Sequence, residues 1–449
     1  MDGEKMTDFL QSILKETSLS VEILALVERR NFIRFANSVV HQNTGINNTE
    51  LVIKVLSGKN LGISVVSNLK EELIKKGIED AYLLSKSSKA IPDFPGFSTP
   101  EECGKINLEY EESENLDVVF QTLGDNFKRC SNFELHGLFT YGTTTVSIVN
   151  SNGVKCTQTL PDSFYKVIAK QDNISGYADF SSHSYTDVPF SKVAESACEK
   201  VTLSQPMREL KPGKYSVILG SNAVAQILQF MSYLGMNALA VQEKRSFIKI
   251  GEKIFDPKVT IVDDPYNKDG FPLLFDFEGT PSNRVVIIEN GIAKNVVYDR
   301  ITAAKEGRKS TGHSTGSISA GPIPMHIMMK GGGSTLKQMI EKTKRAILIT
   351  RFHYVNVVDP ISVTLTGMTR DGTFLIEDGE IVCGLRNLRF TQSMVEAFND
   401  IEHISEEIDF VRSNGFYNIS FPSGYFVPSV KIRNFNFSGV SNGNKINLS

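Results

Sequence analysis

The chain has 449 residues, and its 48 basic and 51 acidic side chains are interspersed to give a formal charge of −3. That length exceeds one ordinary core and suggests two domains or one large bipartite unit, while the balanced charge gives no electrostatic footprint for nucleic acid or an anionic membrane. The five cysteines, Cys103, Cys130, Cys156, Cys198 and Cys383, form no CxxC pair, so neither a disulfide framework nor a zinc ribbon is expected, and a reducing cytoplasm fits.

The opening MDGEKMTDFL is acidic and lacks the basic region and apolar core of a signal peptide. Phe9, Leu10, Ile13 and Leu14 then fall on one helical face. Leu51, Ile53 and Val55, followed by Leu61, Ile63 and Val65, alternate around SGKN as a hairpin does. Asn68 with Glu71 three residues on predicts a capped helix start, continued by Leu69, Leu73, Ile74, Ile78 and Ala81. Another amphipathic segment, Leu116, Val119, Phe120, Leu123 and Phe127, leads into strands broken at an Asn152-Gly153 turn. This order predicts an α+β fold rather than alternating βαβ units. Pro206 and Pro212-Gly213 mark a passage between a mixed α/β N-terminal domain, 1–200, and a strand-rich C-terminal domain, 201–449.

Residues 221–237, SNAVAQILQFMSYLGMN, predict a helix whose core face is Val224, Ile227, Leu228, Met231 and Leu234. Ser221, Asn222, Gln226, Gln229, Ser232 and Asn237 interrupt it too often for a membrane span. Past residue 240 strands predominate, with hairpins turning at Asn290-Gly291 and Asp378-Gly379. Thr335 with Gln338 and Ser393 with Glu396 predict two more capped helices. FVPSVKIRNFNF changes phase after Ile432, which a bulge near Arg433-Asn434 would repair. The Gly- and Ser-rich stretch 305–322 has little apolar surface and is expected to be an exposed loop, open to proteases until something binds it.

Chemistry is sparse. There is no HExxH, GxSxG or GxxxxGK[ST]. GGGS at 331–334 reads as a plain turn. Asp263 and Asp264 lie at a strand end, point to opposite faces, and read as turn formers rather than a shared-proton dyad. Cys383, in an alternating hairpin, reads as a buried inert thiol. His136, His353 and His403 fall in strand or helix patterns as packed or surface side chains. His313 and His326 flank the Gly/Ser loop and are retained, with His353, as candidate substrate or loop positions.

Three blocks carry a resemblance: VTIVDDP, then FDFEGTPSNRVVIIENGIAKNVVYDRITAAKEG, then LTGMTRDGTFLIEDGEIVCGLRNLRFTQS. They are similar to the C-terminal signature blocks of the TldD/PmbA family, metallopeptidase-related proteins once described as modulators of DNA gyrase. The hairpin and helix around GKNLGISVVS resemble the family's N-terminal domain. The resemblance implies dimers around an internal cavity. It also implies that TldD-type subunits carry His-Glu, three residues, then His on the helix after a PGKYSVIL-like strand, with a Cys near the C-terminus completing a zinc site. At those positions this chain has Gln229, Phe230 and Leu234, and NGFYNISFPSGYFVPSVKI contains no thiol. An amide is a poor zinc ligand, and phenyl and isobutyl groups are none.

The chain therefore resembles the TldE/PmbA-type subunit, with no catalytic, cofactor or metal residues of its own. It is expected to pair with a zinc-bearing TldD-type subunit in a cytoplasmic protease acting on unfolded or extended peptides. Three alternatives stay open: a self-sufficient peptidase using His313, His326 or His353, a non-enzymatic binding or scaffold protein, and a metal site built from loop residues.

Overall fold

The computed structural model describes residues 2–104, 106–109, 115–413 and 419–440. Its first half is one antiparallel sheet dressed with helices. In chain order the elements are α1 (Gly3–Leu14), β1 (Ser20–Ala36), β2 (Val39–Ser57), β3 (Asn60–Val66), α2 (Glu71–Ser87), α3 (Leu116–Arg129), β4 (Glu134–Asn150), β5 (Lys155–Gln171), β6 (Ile174–Ser182) and α4 (Phe190–Leu203). The sheet order is β3-β2-β1-β4-β5-β6. Met6, Leu10, Ile13 and Leu14 of α1 meet Ile74, Ile78 and Ala81 of α2 over the strand residues Val21, Ile23, Ile53 and Val55. At the sheet's other end Val119 and Leu123 of α3 and Val193, Ala197 and Val201 of α4 cover Phe139, Tyr165 and Val167.

The second half is a larger mixed sheet. Its elements are β7 (Met207–Arg208), β8 (Gly213–Leu219), α5 (Ser221–Gly235), α6 (Ala238–Gln242), β9 (Ile261–Asp263), β10 (Val285–Glu289), β11 (Ile292–Ala293), α7 (Arg300–Lys305), β12 (Ile327–Met329), α8 (Leu336–Glu341), β13 (Arg345–Asp359), β14 (Thr364–Glu377), β15 (Glu380–Leu385), β16 (Leu388–Ser393), α9 (Met394–Asn399), β17 (Ile401–Arg412) and β18 (Gly424–Val440). The order runs β11-β10-β9-β12-β18-β8-β13-β14-β15-β7, with β16 joining β14 to β18 and β17 pairing β18. The α+β class predicted from pattern is the one observed. The two sheets meet where Leu24, Val146 and Ile148 pack on Leu273 and Phe275.

Local chemistry explains most boundaries. Thr335 and Gln338 form a reciprocal capping box, and Ser393 Oγ accepts from the Glu396 N–H at 3.2 Å. The β18–β8 register slips between Ile432 and Phe435, the bulge that the phase change required. Asn68 behaves differently from expectation. Its Oδ1 accepts from the Lys70 N–H at 2.9 Å, and α2 begins at Glu71 with no side-chain cap, because the chain makes an Asx turn before the helix rather than entering it.

Two further expectations are corrected. Cys103 and Cys156 are joined in a disulfide. They lie 53 residues apart, so no local spacing could announce the pair; the segment before α3 crosses the β5 edge and brings them together. A disulfide is uncommon in a reducing compartment, so the cytoplasmic expectation loses the support that the cysteine pattern gave it. Cys383 is free and buried, as read.

The middle of the 305–322 loop is packed, not exposed. Gly312, at φ +72°, sits where an added Cβ would fall 2.1 Å from the Pro281 carbonyl oxygen, so only glycine fits. The Asn283 N–H donates to the Thr311 carbonyl and the Ile323 N–H to the His313 carbonyl, each at 3.0 Å. Residues 304–309 are exposed, and so are Ser317, Ser319 and Ala320. Among the described residues, no helix is long and apolar enough to cross a membrane.

Candidate functional site

Helix α5 lies across β13 and β18 with Val224, Ile227, Leu228 and Met231 buried beneath it. The residues that seemed to interrupt it, Asn222, Gln226 and Gln229, recur at four and three residues and so share one face. That face lines a cavity of about 210 Å³ between the two halves. Opposite stand Arg351, His353 and Tyr354 of β13, Arg412 and Ser413 at the end of β17, Tyr425 of β18 and Tyr177 of β6.

The three positions where the family's motif is lost do not act as a unit. Gln229 reaches the cavity and donates Nε2–H to Ser413 Oγ at 3.1 Å. Phe230 is half-buried beside Tyr233, ring centroids 5.7 Å apart, and packs on the core. Leu234 is 7% exposed and part of the core itself.

Around Gln229 the cavity is polar and electropositive. The Arg351 guanidinium stacks 4.1 Å from the Tyr177 ring centroid, and its Nη1 lies 3.4 Å from Asp371. Asn222 Nδ2 donates to Asp179 at 3.1 Å, and Lys200 Nζ donates to the Tyr177 carbonyl at 2.7 Å. Burial raises the Asp179 pKa against the pull of Asn222, Lys200, Tyr177 and Arg351. Burial lowers that of His353, as do the positive charges of Arg370 and Arg351. Burial pushes the Tyr425 hydroxyl up to about 12.

His313 and His326, by contrast, converge on Asp263. His313 Nε2 donates to Asp263 Oδ2 at 2.8 Å, and its Nδ1 lies 2.9 Å from both the carbonyl and the hydroxyl of Thr311. The His326 backbone N–H donates to Asp263 Oδ1 at 2.8 Å, and its ring Nδ1 stands 3.8 Å from Oδ2. Burial would raise the Asp263 pKa, yet the charge and hydrogen bond of His313, joined by His326, hold the carboxyl well below the usual range. The reading of Asp263 as a turn former is therefore overturned. It is a fully buried acceptor, while Asp264 faces the other way, accepts from the Tyr266 N–H and pairs with Arg284 at 3.1 Å.

The FDFEGTP block has a structural role. Asp276 accepts from the backbone N–H groups of Glu278, Thr280 and Ser314 at 2.9, 3.0 and 2.9 Å, which ties this turn to the packed loop. Ser98 Oγ donates to the Glu278 carbonyl from the first half. Burial, then the neighbouring Asp276, pushes Glu278 up to about 8, with Lys54 opposing. Asp276 is raised to about 6 by burial despite its three N–H donors.

A zinc ion needs imidazole, thiolate or carboxylate donors. The described wall of the α5 cavity offers one imidazole, His353, among amides, hydroxyls and guanidinium groups, and that donor set does not fit zinc. Among the described residues no group of three or more His, Cys, Asp or Glu is placed to hold a metal. Residues 414–418, the first part of the stretch expected to lack the family's cysteine, lie outside the described residues. A larger cleft of about 550 Å³ beside β1 and β4 holds none of the predicted site residues. Sequence reasoning missed Arg351, Tyr177 and Ser413; the one available signal was an arginine within the strand run ILITRFHYV.

Residues 212–439 match the family described as PmbA/TldA metallopeptidase C-terminal domain. The crystal structure of TldE from Thermococcus kodakarensis superposes with a TM-score of 0.84 at 19% identity, covering 97% of this chain and 100% of that one. A metalloprotease of Methanocaldococcus jannaschii is 22% identical over 390 residues, 82% of this chain and 84% of the relative. A Buchnera aphidicola metalloprotease TldD homolog is 28% identical over 257 residues, 55% of this chain. The chain spans 53% of that relative, about half its length.

Proposed function

Because the chain belongs to the TldD/PmbA metallopeptidase family, we propose that it is a TldE/PmbA-type, non-metal subunit that works with a zinc-bearing TldD-type partner on unfolded or extended peptides. The observation that carries this reading is the α5 cavity: the helix that bears the family's zinc ligands still faces a cleft, but it presents Gln229, bonded to Ser413, where a ligand would stand. Amide hydrolysis at neutral pH needs an activated water and a stabiliser for the developing oxyanion. In this reading the partner supplies both, and this chain encloses the chamber and holds part of the peptide. The same reading takes 1–200 and 201–449 as the two domains, a dimer as the working assembly and the cytoplasm as its place.

A self-sufficient peptidase would draw on His313, His326 or His353. The first two are held on Asp263, and His353 faces no carboxylate among the described residues of its cavity. The test is reconstitution. The purified chain alone is expected to contain no stoichiometric zinc and to cleave no peptide above background, whereas addition of a TldD-type subunit yields activity that requires both proteins and is abolished by a chelator. Chelator-insensitive cleavage by the isolated chain would overturn the proposal.

A further inference from the structure

The wall of the α5 cavity is polar. Asn222, Gln226 and Gln229 bring amides, Arg351 a guanidinium, His353 an imidazole and Ser413 a hydroxyl, and among the described residues no carboxylate lines it. The acids lie behind the wall: Asp371 meets Arg351 at Nη1, and Asp179 is held by Asn222. Arg412, at the cavity's far edge, donates to Asp162 at 2.8 Å. Beneath the wall Lys166 and Lys200 join Arg351 in facing Asp179 and Asp371, with Arg34, Arg370 and Glu199 exposed. Cations outnumber carboxylates in that layer: burial lowers the pKa values of Lys166, Lys200 and His353 and the charge of Arg351 lowers each further, whereas Asp179 is raised by burial against the pull of Lys200 and Arg351.

From this arrangement we infer that the α5 cavity is an anion site that receives the C-terminal carboxylate of an extended peptide, with Arg351 as its principal contact. The inference rests on the peptide-binding reading above and names the part of the peptide that this subunit holds. A guanidinium presents five N–H donors in a planar fork that suits a carboxylate, and the Asp371 contact is at one end of it. His353 and the amides of Asn222 and Gln226 stand around the same space. Tyr177, Phe352, Tyr354 and Tyr425 supply aromatic surface for the side chain next to the carboxylate. The volume, about 210 Å³, is below the roughly 300–1,000 Å³ of pockets that enclose a drug-sized ligand. It therefore suits one end of a chain rather than a length of it.

The experiment compares three probes on the full-length chain by calorimetric titration: an N-acetylated tetrapeptide with a free C-terminus, the same peptide as its C-terminal amide, and inorganic phosphate. The free acid is expected to bind at least about tenfold more tightly than the amide, equivalent to about 1.4 kcal/mol. Phosphate is expected to compete with the acid and not with the amide. Removing Arg351 alone would leave the buried Asp371 with only the more distant Arg370, at 3.8 Å, so the variant is the double substitution R351Q/D371N, checked for folding by its unfolding transition. It should lose the acid's advantage and keep the amide's affinity.

Equal affinity of acid and amide in the wild type, with both displaced by Gln229→Trp, would overturn the anion site while leaving peptide binding in this cavity intact. Binding of phosphate with no binding of either peptide would overturn the peptide as the anion's source and the peptide-binding reading with it. An acid preference that survives R351Q/D371N would overturn the role of Arg351.

Discussion

The Asp263 cluster and the α5 cavity both hold histidines that stood out in the sequence, but they use them in opposite ways. At Asp263 the carboxylate is fully buried, His313 is 3% exposed, and both ring nitrogens of His313 have partners within 2.9 Å. At the cavity His353 is half-buried, has no carboxylate across from it among the described residues, and stands near Arg351 and Arg370. The first is a buried polar network, closed around His313 although the Nε2 of His326 has no hydrogen-bond partner, and it ties the β9 end, the 305–322 loop and the start of β12 together. The second is an open wall with an excess of positive charge. Burial with satisfied partners marks a histidine as structural; partial burial in unbalanced charge marks a place for a ligand.

The strongest way to break this contrast is to remove Asp263. Asp263→Ala leaves His313 and the His326 N–H without their buried acceptor, and the expected loss of stability is roughly 3–5 kcal/mol, read by denaturant unfolding. The 305–322 loop should then become cleavable near residue 313, whereas in the wild type limited proteolysis should cut at the exposed residues 304–309. Equal stability of the variant and the wild type would show that the network is not what fixes the loop.

A finer test replaces the histidines one at a time. His313→Ala is expected to cost about 2–3 kcal/mol, because it removes the hydrogen bond to the buried Asp263 Oδ2. His353→Ala should cost less than about 1 kcal/mol, since no hydrogen bond is lost from the folded state. If the two variants were equally destabilised, the division into a closed and an open site would fail.

The pH dependence separates the two kinds of buried acid. The folded-state pKa of Asp263 lies below that of the unfolded chain, so its contribution is present above about pH 3.9 and is lost as pH falls through the folded value. Glu278 has the opposite sign. Its folded value of about 8 lies above the unfolded one, so the native state holds the extra proton from about pH 4.3 up to 8, and stability falls as pH rises across that window. Unfolding titrations from pH 5 to 8 should therefore slope downward, and Glu278→Gln should flatten the slope. An unchanged slope in that variant would mean another group carries the proton.

The smallest expected gain comes from rebuilding the lost motif. Gln229→His, Phe230→Glu and Leu234→His together should bind no stoichiometric zinc by elemental analysis. Phe230 and Leu234 pack on or in the core, and an imidazole at 234 would cost about 2–3 kcal/mol of stability.

Much of this was legible in the sequence because it depended on short-range pattern. The α+β class, the capping box at Thr335, the bulge after Ile432 and the core face of α5 follow from periodicity and turn chemistry within a few residues of each other. What failed depended on distance along the chain. Cys103 meets Cys156, Asp263 meets His313 across 50 residues, and Gln229 meets Ser413 across 184, none of which leaves a local trace. The loop around Gly312 read as exposed because the partners that hold it are polar, and a scan for apolar surface does not see hydrogen bonds. The helix positions 229, 230 and 234 were found only through resemblance, and that resemblance could not say that just Gln229 turns toward the cavity.

The topology of the larger sheet has a consequence for how the protein is made. In the first half every strand of β1–β6 pairs with neighbours that precede β7, so that sheet can close while later residues are still emerging from the ribosome. In the second half β18 pairs with β12, β8, β16 and β17, and its register joins Val430 to Leu219 and Ile432 to Val217. Until residues 424–440 are synthesised, β8 and β17 lack that neighbour, and the apolar face of α5 lacks the strand it rests on. A nascent chain stopped short of β18 would carry a finished first half beside unpaired strand edges, which are templates for aggregation. Chaperone demand during translation should therefore fall on the second half, in the interval between the synthesis of β8 and that of β18.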